Sequence, residues 1–140
     1  MNDYTMIKGD KVKVERIDHI VLTVEDVQRT VRFYVTVLGI EEKTYGQNFK
    51  TLAFGNQRIN LHEKGMNAPL KAKHPTPGSG DICLVTTSPM SEVVAHLKKH
   101  GVAIEEGPIE REGALGRMES VYFRDPDHNL IEVSVYPDSQ

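Results

Sequence analysis

From Arg16 onward the apolar positions recur with regular periods, and each run predicts one element. Residues 17–24 (IDHIVLTV) are apolar and β-branched and predict a strand. Alternation puts Ile20, Leu22 and Val24 on one face and His19, Val21 and Thr23 on the other. The period then becomes helical: Val27, Val31, Tyr34, Val35 and Leu38 line up, with Asp26 placed to cap the start and Gly39 to stop the end. Three short strands are predicted near 40–45, 49–54 and 57–63, separated by Gly46 and by Gly55-Asn56. Residues 64–80 break the pattern with three prolines and three glycines, and predict a loop or linker. A strand at 82–86 restarts it. Ser88 is placed as the cap of a second helix with Pro89 at its first position, Val93, Val94 and Leu97 as its stripe and Gly101 at its end. Strands near 102–105, 118–124 and 129–136 complete the series. Residues 1–15 and 137–140 are polar and unpatterned, and predict an extension and a tail.

The two halves can be laid over each other. His19 precedes Gly39 by twenty positions, and Asp81 precedes Gly101 by the same twenty. Ile59-Asn60-Leu61-His62 matches Ile131-Glu132-Val133-Ser134 in apolar phase, while the second half carries about ten extra residues between Glu106 and Arg117. The pattern is an internal duplication of a βαβββ unit, too few copies for a solenoid and suited to a pseudo-symmetric pair.

Composition narrows the class. A chain of 140 residues predicts one domain with an ordinary core. Its 17 basic and 20 acidic residues, a net charge of −3, leave no basic stripe for nucleic acid. Cys83 stands alone, which excludes an internal disulfide and a cysteine-based zinc knuckle and suits a reducing, cytoplasmic setting. No apolar run reaches the roughly 18 residues of a membrane span, and charges through residues 3–13 argue against a secretory signal.

Pseudo-symmetry turns equivalent positions toward one centre. His19 pairs with Asp81 at the start of each half, and Asn60 with Glu132 on the last strand of each; His62 shares the face of Asn60. His19, His62, Asp81 and Glu132 then form a set of imidazoles and carboxylates suited to Fe(II), Ni, Zn, Mn or Co. Each has a plain structural alternative, a rim histidine or a solvated carboxylate. Glu132 is the exception, because a carboxylate between Leu130-Ile131 and Val133 is costly unless paired or metal-bound. Other polar residues have weaker claims. His128 is expected on an exposed turn, His74 in a solvated linker, and His96 and His100 on the second helix. Arg117 and Arg124 are candidates for an anionic substrate; Arg124, sharing the face of Tyr122, has the better claim, against an ordinary surface ion pair.

Residues 17–24, Phe33-Tyr34 and Leu38-Gly39, with the closing segment from Tyr122 through Asp125-Pro126-Asp127-His128-Asn129 to Val133, resemble the two hallmark segments of the vicinal-oxygen-chelate superfamily. That superfamily includes glyoxalase I, fosfomycin-resistance thiol transferases, extradiol dioxygenases and bleomycin-resistance proteins. Within it, Asn60-Leu61-His62-Glu63 and residues 74–79 resemble the glyoxalase-domain-containing protein 5 group, whose bacterial members are labelled virulence-associated or lactoylglutathione-lyase-like. The resemblance implies an α+β fold of two paired βαβββ modules forming a U-shaped mixed sheet with helices on the outer face. Module one would span 16–63 and module two 81–136, joined by the linker 64–80 in one domain of 16–136. It also implies a divalent metal, a small-molecule substrate and a homodimer with sites near the subunit interface.

Family ligands fall at His19, Asn60, Asp81 and Glu132. Glyoxalase I usually has Glu where Asn60 stands and His where Asp81 stands; since Asn is a poor ligand, His62 or a water is the alternative donor there. The leading expectation is a glyoxalase I-like lyase or isomerase working through a metal-chelated enediolate, with Glu132 as catalytic base and glutathione a possible co-substrate. Asn60, Tyr122 and Arg124 would contact the substrate. An Fe(II) extradiol-type dioxygenase and a non-catalytic binding or resistance protein are the alternatives.

Overall fold

A computed structural model describes Gly9 and residues 12–47 and 49–137. Most of the expected N-terminal extension and the last three residues of the expected tail lie outside the described residues. The first strand, β1 (His19–Val24), leads into α1 (Val27–Leu38). Asp26 caps α1 as predicted, its side chain accepting from the Arg29 N–H; Gly39 ends it in the left-handed region at φ 65°. Three strands follow: β2 (Glu41–Tyr45), β3 (Phe49–Phe54) and β4 (Gln57–Glu63). The second half repeats the order with β5 (Asp81–Val85), α2 (Met90–Lys99), β6 (Glu106–Gly113), β7 (Gly116–Arg124) and β8 (Leu130–Val135).

Each half builds one four-stranded mixed sheet, in the orders β1-β4-β3-β2 and β5-β8-β7-β6. The first strand of each half pairs parallel to the last, and the remaining pairings are antiparallel. This is the paired βαβββ architecture read from the duplication. One core joins the halves: Leu22, Val24, Val31, Tyr34, Leu52 and Ile59 from the first meet Leu97, Val121, Phe123 and Ile131 from the second. The Phe33 and Phe123 rings lie 6.3 Å apart, and His96 Nε2 is 3.1 Å from the Thr36 carbonyl oxygen, so the helices lie together on one side of both sheets. The opposite, inner face of the sheets carries the polar positions.

A buried ion and hydrogen-bond cluster ties the halves together. The Tyr34 hydroxyl on α1 donates to Asp125 Oδ2 at 2.6 Å, and Asp125 is also held by Asn129 Nδ2 at 2.8 Å. Asp125 Oδ1 accepts from the backbone N–H groups of Asp127 and Asn129. Arg29 of α1 pairs with Asp127 at 2.9 Å. Buried carboxylates survive here because each of their oxygens has a donor.

Three local expectations are corrected. Ser88 does not cap α2; the cap position is Pro89, with no side-chain hydrogen bond, while the Ser88 N–H is taken by the Thr86 hydroxyl. Residues 102–105 are not a strand: Val102 and Ile104 pack against the core, and Glu105 alone joins a ladder, through Tyr122 O. The strand is β6, in the stretch that looked like an insertion. Its sequence EGPIEREG is poor in strand formers, and pairing with β7 holds it in place through a tight turn at Ala114-Leu115. On α1, Val35 is partly exposed, while Thr30 and Val37 turn inward.

Candidate functional site

Strand register confirms that the two halves correspond position by position. In the first, His19 lies opposite Arg58, Val21 opposite Asn60 and Thr23 opposite His62. In the second, Asp81 lies opposite Leu130, Cys83 opposite Glu132 and Val85 opposite Ser134. His19 is therefore equivalent to Asp81, and Asn60 to Glu132. All of these side chains share the inner face, because the alternate residues Leu22, Ile59, Leu61, Ile131 and Val133 are buried in the core.

The His19 ring is exposed, and its Nδ1–H donates to Asp18 Oδ2 at 2.8 Å. That bond holds the Asp18 carboxyl below the usual carboxylate range, against the opposing effect of burial, with the Arg16 and Arg58 charges adding to it. It also sets the tautomer that leaves Nε2 free as a donor, the arrangement found behind most metal-binding histidines. Glu132 is half-buried, and its Oε2 accepts from the Ser134 hydroxyl at 3.3 Å. The Ser134 hydroxyl also lies 2.6 Å from that of Ser120 and 3.2 Å from the Cys83 sulfur. Burial pushes the Cys83 thiol up, opposed by Ser134 and reinforced by the Glu132 charge, so the sulfur stays a protonated thiol at neutral pH. Tyr122, opposite Glu132 on β7, is likewise raised, by burial first and by the carboxylate after it, against the opposing hydrogen bond from Arg111.

The other predicted residues are placed differently. Asn60 Oδ1, its one good ligand atom, accepts from the Thr51 hydroxyl at 3.0 Å. His62 lies beneath the linker, its ring 6.5 Å from that of Phe49, and lines a cavity of about 320 Å³ with Thr23, Lys71, His74 and Asp81. His74 is exposed as expected yet also borders that cavity. Arg124 is committed to a two-pronged ion pair with Glu105, at 2.9 and 3.0 Å, and Arg117 pairs with Glu110; both make the surface ion pair weighed as the alternative.

His19, His62, Asp81 and Glu132 share a face, but within one chain they do not assemble around a shared centre, and this corrects the expectation from pseudo-symmetry. Among the described residues no three His, Cys, Asp or Glu side chains converge into a set able to hold a metal ion. The reason is topological. β1 and β5 are both edge strands of separate sheets. Thr23 and Asp81 border one cavity of their seam, whereas Ile17 and Val85 border the other, of about 400 Å³, so the two strands run past each other in opposite directions. That sends His19 and Asp81 to opposite ends of the seam. The donor chemistry of His19 and Glu132 suits a divalent cation; their placement in a single subunit does not complete its sphere.

Sequence reasoning missed two inner-face residues. Arg58, beside His19, lies with its guanidinium 4.4 Å from the centre of the Tyr45 ring, and Arg111 lies 5.5 Å from that of Tyr122. Arg58 lies two positions before Asn60 on β4, and that alternation was the available signal; Arg111 had none, because β6 does not read as a strand.

Fold and site together define a glyoxalase-type domain. The chain belongs to the Glyoxalase/Bleomycin resistance protein/Dioxygenase superfamily, whose model matches residues 16–133. It is 52% identical to Virulence protein STM3117 of Salmonella typhimurium (strain LT2) over 88% of this chain and 85% of that protein. The crystal structure of STM3117 aligns with a TM-score of 0.87 and 51% identity, covering 89% of this chain and 99% of that one. Glyoxalase domain-containing protein RDO1 of Mycosarcoma maydis is 45% identical over 93% of this chain and 73% of its own length. A lactoylglutathione lyase from Agrobacterium tumefaciens shares the fold, with a TM-score of 0.68 at 22% identity over 88% of this chain and 95% of that one. No helix among the described residues is long and apolar enough to cross a membrane.

Proposed function

We propose that the protein is a metal-dependent enzyme of the glyoxalase I type, acting as a lyase or isomerase on a small oxygenated substrate. Glu132 carries this reading. It is the one charged residue of β8, turned to the inner face and oriented by the Ser134 hydroxyl. An unpaired carboxylate is kept in such a place for chemistry more readily than for stability.

In this reading His19 and Glu132 hold a divalent cation, with His62 or Asp81 as further donors, and the second copy of a homodimer supplies the half of the sphere that one chain lacks. The cation would supply Lewis acidity for two neighbouring substrate oxygens. Asp18 keeps the His19 ring in one tautomer. Glu132 accepts the substrate proton at the carboxylate oxygen not bound by Ser134 and returns it to the adjacent carbon. Asn60, held by Thr51, offers its amide N–H to the substrate. Tyr122, kept protonated, offers a hydroxyl beside the reacting carbon. Exposed Val21, Phe49 and Val85 along the inner face suit a ligand with an apolar part, which a non-catalytic binding protein would share; turnover separates the two.

The test is metal analysis of the purified protein, with assay of methylglyoxal–glutathione hemithioacetal isomerisation in Ni, Zn, Mn and Fe(II). His19→Ala is expected to abolish tight metal binding, and Glu132→Gln to lower turnover by at least about a hundredfold. Failure of all four metals to bind would end this reading, and oxygen uptake with catechols would replace it by a dioxygenase.

A further inference from the structure

Most arginines of this chain have their charge answered within it. Arg16 pairs with Asp18, Arg29 with Asp127, Arg117 with Glu110 and Arg124 with Glu105. Three others are left: Arg32 is exposed on α1, whereas Arg58 and Arg111 lie on the inner face. Among the described residues neither has a carboxylate within ion-pair distance, although acidic residues outnumber basic ones in the chain.

Both are nonetheless held in place. Arg58 projects from β4 on the inner face, directly opposite His19, and its guanidinium rests on the Tyr45 ring. Its Nε is buried without a hydrogen-bond partner, and it is the one such side-chain nitrogen or oxygen found among the described residues. Arg111 occupies the matching face of the second half. It is cross-strand neighbour to Met118, its Nε donates to the Tyr122 hydroxyl at 3.0 Å, and its Nη1 donates to the Glu110 carbonyl. Each guanidinium is thus oriented by an aromatic ring, and among the described residues both Nη groups of Arg58 and Nη2 of Arg111 donate to nothing. Asp18, the acidic group near Arg58, is already engaged by His19 and Arg16.

With Nε closed off and no carboxylate beside it, the Arg58 guanidinium can answer its charge only through its outer N–H groups, by meeting an anion there. The planar guanidinium fork matches an oxyanion, and stacking on tyrosine keeps that fork rigid without consuming it. We propose that Arg58, with Arg111 on the same face of the second half, binds the oxyanion of a small acidic ligand on the inner face. The substrate class is then a carboxylate or an equivalent small oxyanion, recognised at a point separate from the oxygens undergoing chemistry. This inference rests on the inner face being the ligand site, as proposed above, but does not require that a metal be bound or that turnover occur.

The test uses the full-length protein stripped of metal with EDTA and titrated with malonate at low ionic strength, followed calorimetrically and by the arginine Nε–H resonances. Malonate is expected to bind and to shift the Arg58 Nε–H signal, while the neutral analogue malonamide does neither. Arg58→Gln should weaken malonate binding about tenfold or more, Arg58→Lys less, and Arg111→Gln in the same direction, since charge-assisted bonds are the strong ones. Arg32→Gln, on the exposed side of α1, is the control and should leave binding unchanged. The inference is overturned if malonate does not bind, if malonamide binds equally, or if Arg58→Gln binds as the parent does. It is equally overturned if Arg58→Gln splits an oligomer while leaving malonate affinity intact, for then a second copy's carboxylate is what Arg58 serves. Malonate binding that persists in a protein with no metal affinity would uphold this inference while ending the metalloenzyme reading.

Discussion

Removing the Tyr34 hydroxyl tests how the two halves are held together. Tyr34 is fully buried, and its hydroxyl donates to Asp125 Oδ2 at 2.6 Å across the boundary between α1 and the β7–β8 turn. In Tyr34→Phe the ring remains, so packing against Phe33 is kept and one charge-assisted hydrogen bond is lost. Bonds to a charged group contribute about 1.5–3 kcal/mol. Asp125 keeps three donors, from Asn129 twice and from the Asp127 N–H, which places the expected loss near the middle of that range, about 2 kcal/mol. For a chain of this size that corresponds to a fall of about 8 °C in Tm.

The same contact predicts a pH dependence. Burial first, then the Asp125 charge and hydrogen bond, push the Tyr34 hydroxyl far above its ordinary value of 10.0. In the unfolded chain Tyr34 ionises near pH 10, while in the folded protein it stays neutral. Its contribution is therefore complete below about pH 10 and is lost as the pH rises further, by about 1.4 kcal/mol per pH unit. Urea denaturation at intervals from about pH 8 to about pH 11 reads both effects. Tyr34→Phe should start lower and fall less steeply at the alkaline end. Equal midpoints at neutral pH, or parallel alkaline slopes for the two proteins, would refute the assignment of this bond as a tether.

Two further outcomes follow from packing. Phe123→Ala removes a fully buried ring that α1 reaches through Phe33, and should cost about 3–5 kcal/mol while unfolding both halves in one transition by calorimetry. Gly78 has φ +84°, and a Cβ there would meet the Asp127 carbonyl oxygen at 2.7 Å. Gly78→Ala should therefore destabilise the protein by about 1–2 kcal/mol or more, and hydrogen exchange should rise in the linker and in the turn at Asp125 to Asn129.

Much of this molecule was legible along the chain because its information is local. Asp26 and Gly39 bracket α1 through short-range hydrogen bonds and a left-handed backbone, and the alternation in β1, β4 and β8 announces their buried faces. The matching distances from His19 to Gly39 and from Asp81 to Gly101 revealed the duplication, and register later matched His19 to Asp81 and Asn60 to Glu132. Glu132 stood out because a carboxylate in an apolar strand contradicts the pattern around it.

What escaped the sequence depended on partners distant in the chain. β6 has almost no intrinsic strand preference and exists because β7 lies beside it. Arg124 looked like a substrate ligand until Glu105 was found to hold it, whereas Arg58 and Arg111 drew no notice because only tertiary structure shows an arginine to be left without a carboxylate. The four candidate metal donors were correctly assigned to one face, yet periodicity says nothing about how far apart two edge strands carry their ends. The sequence by itself determined most of the elements, the duplication and the face that carries the candidate donors, since each follows from steric and hydrophobic preferences within a few residues. Only the tertiary structure decided which charges are answered and which donors meet, because those depend on how two sheets of known register are set against one another in space.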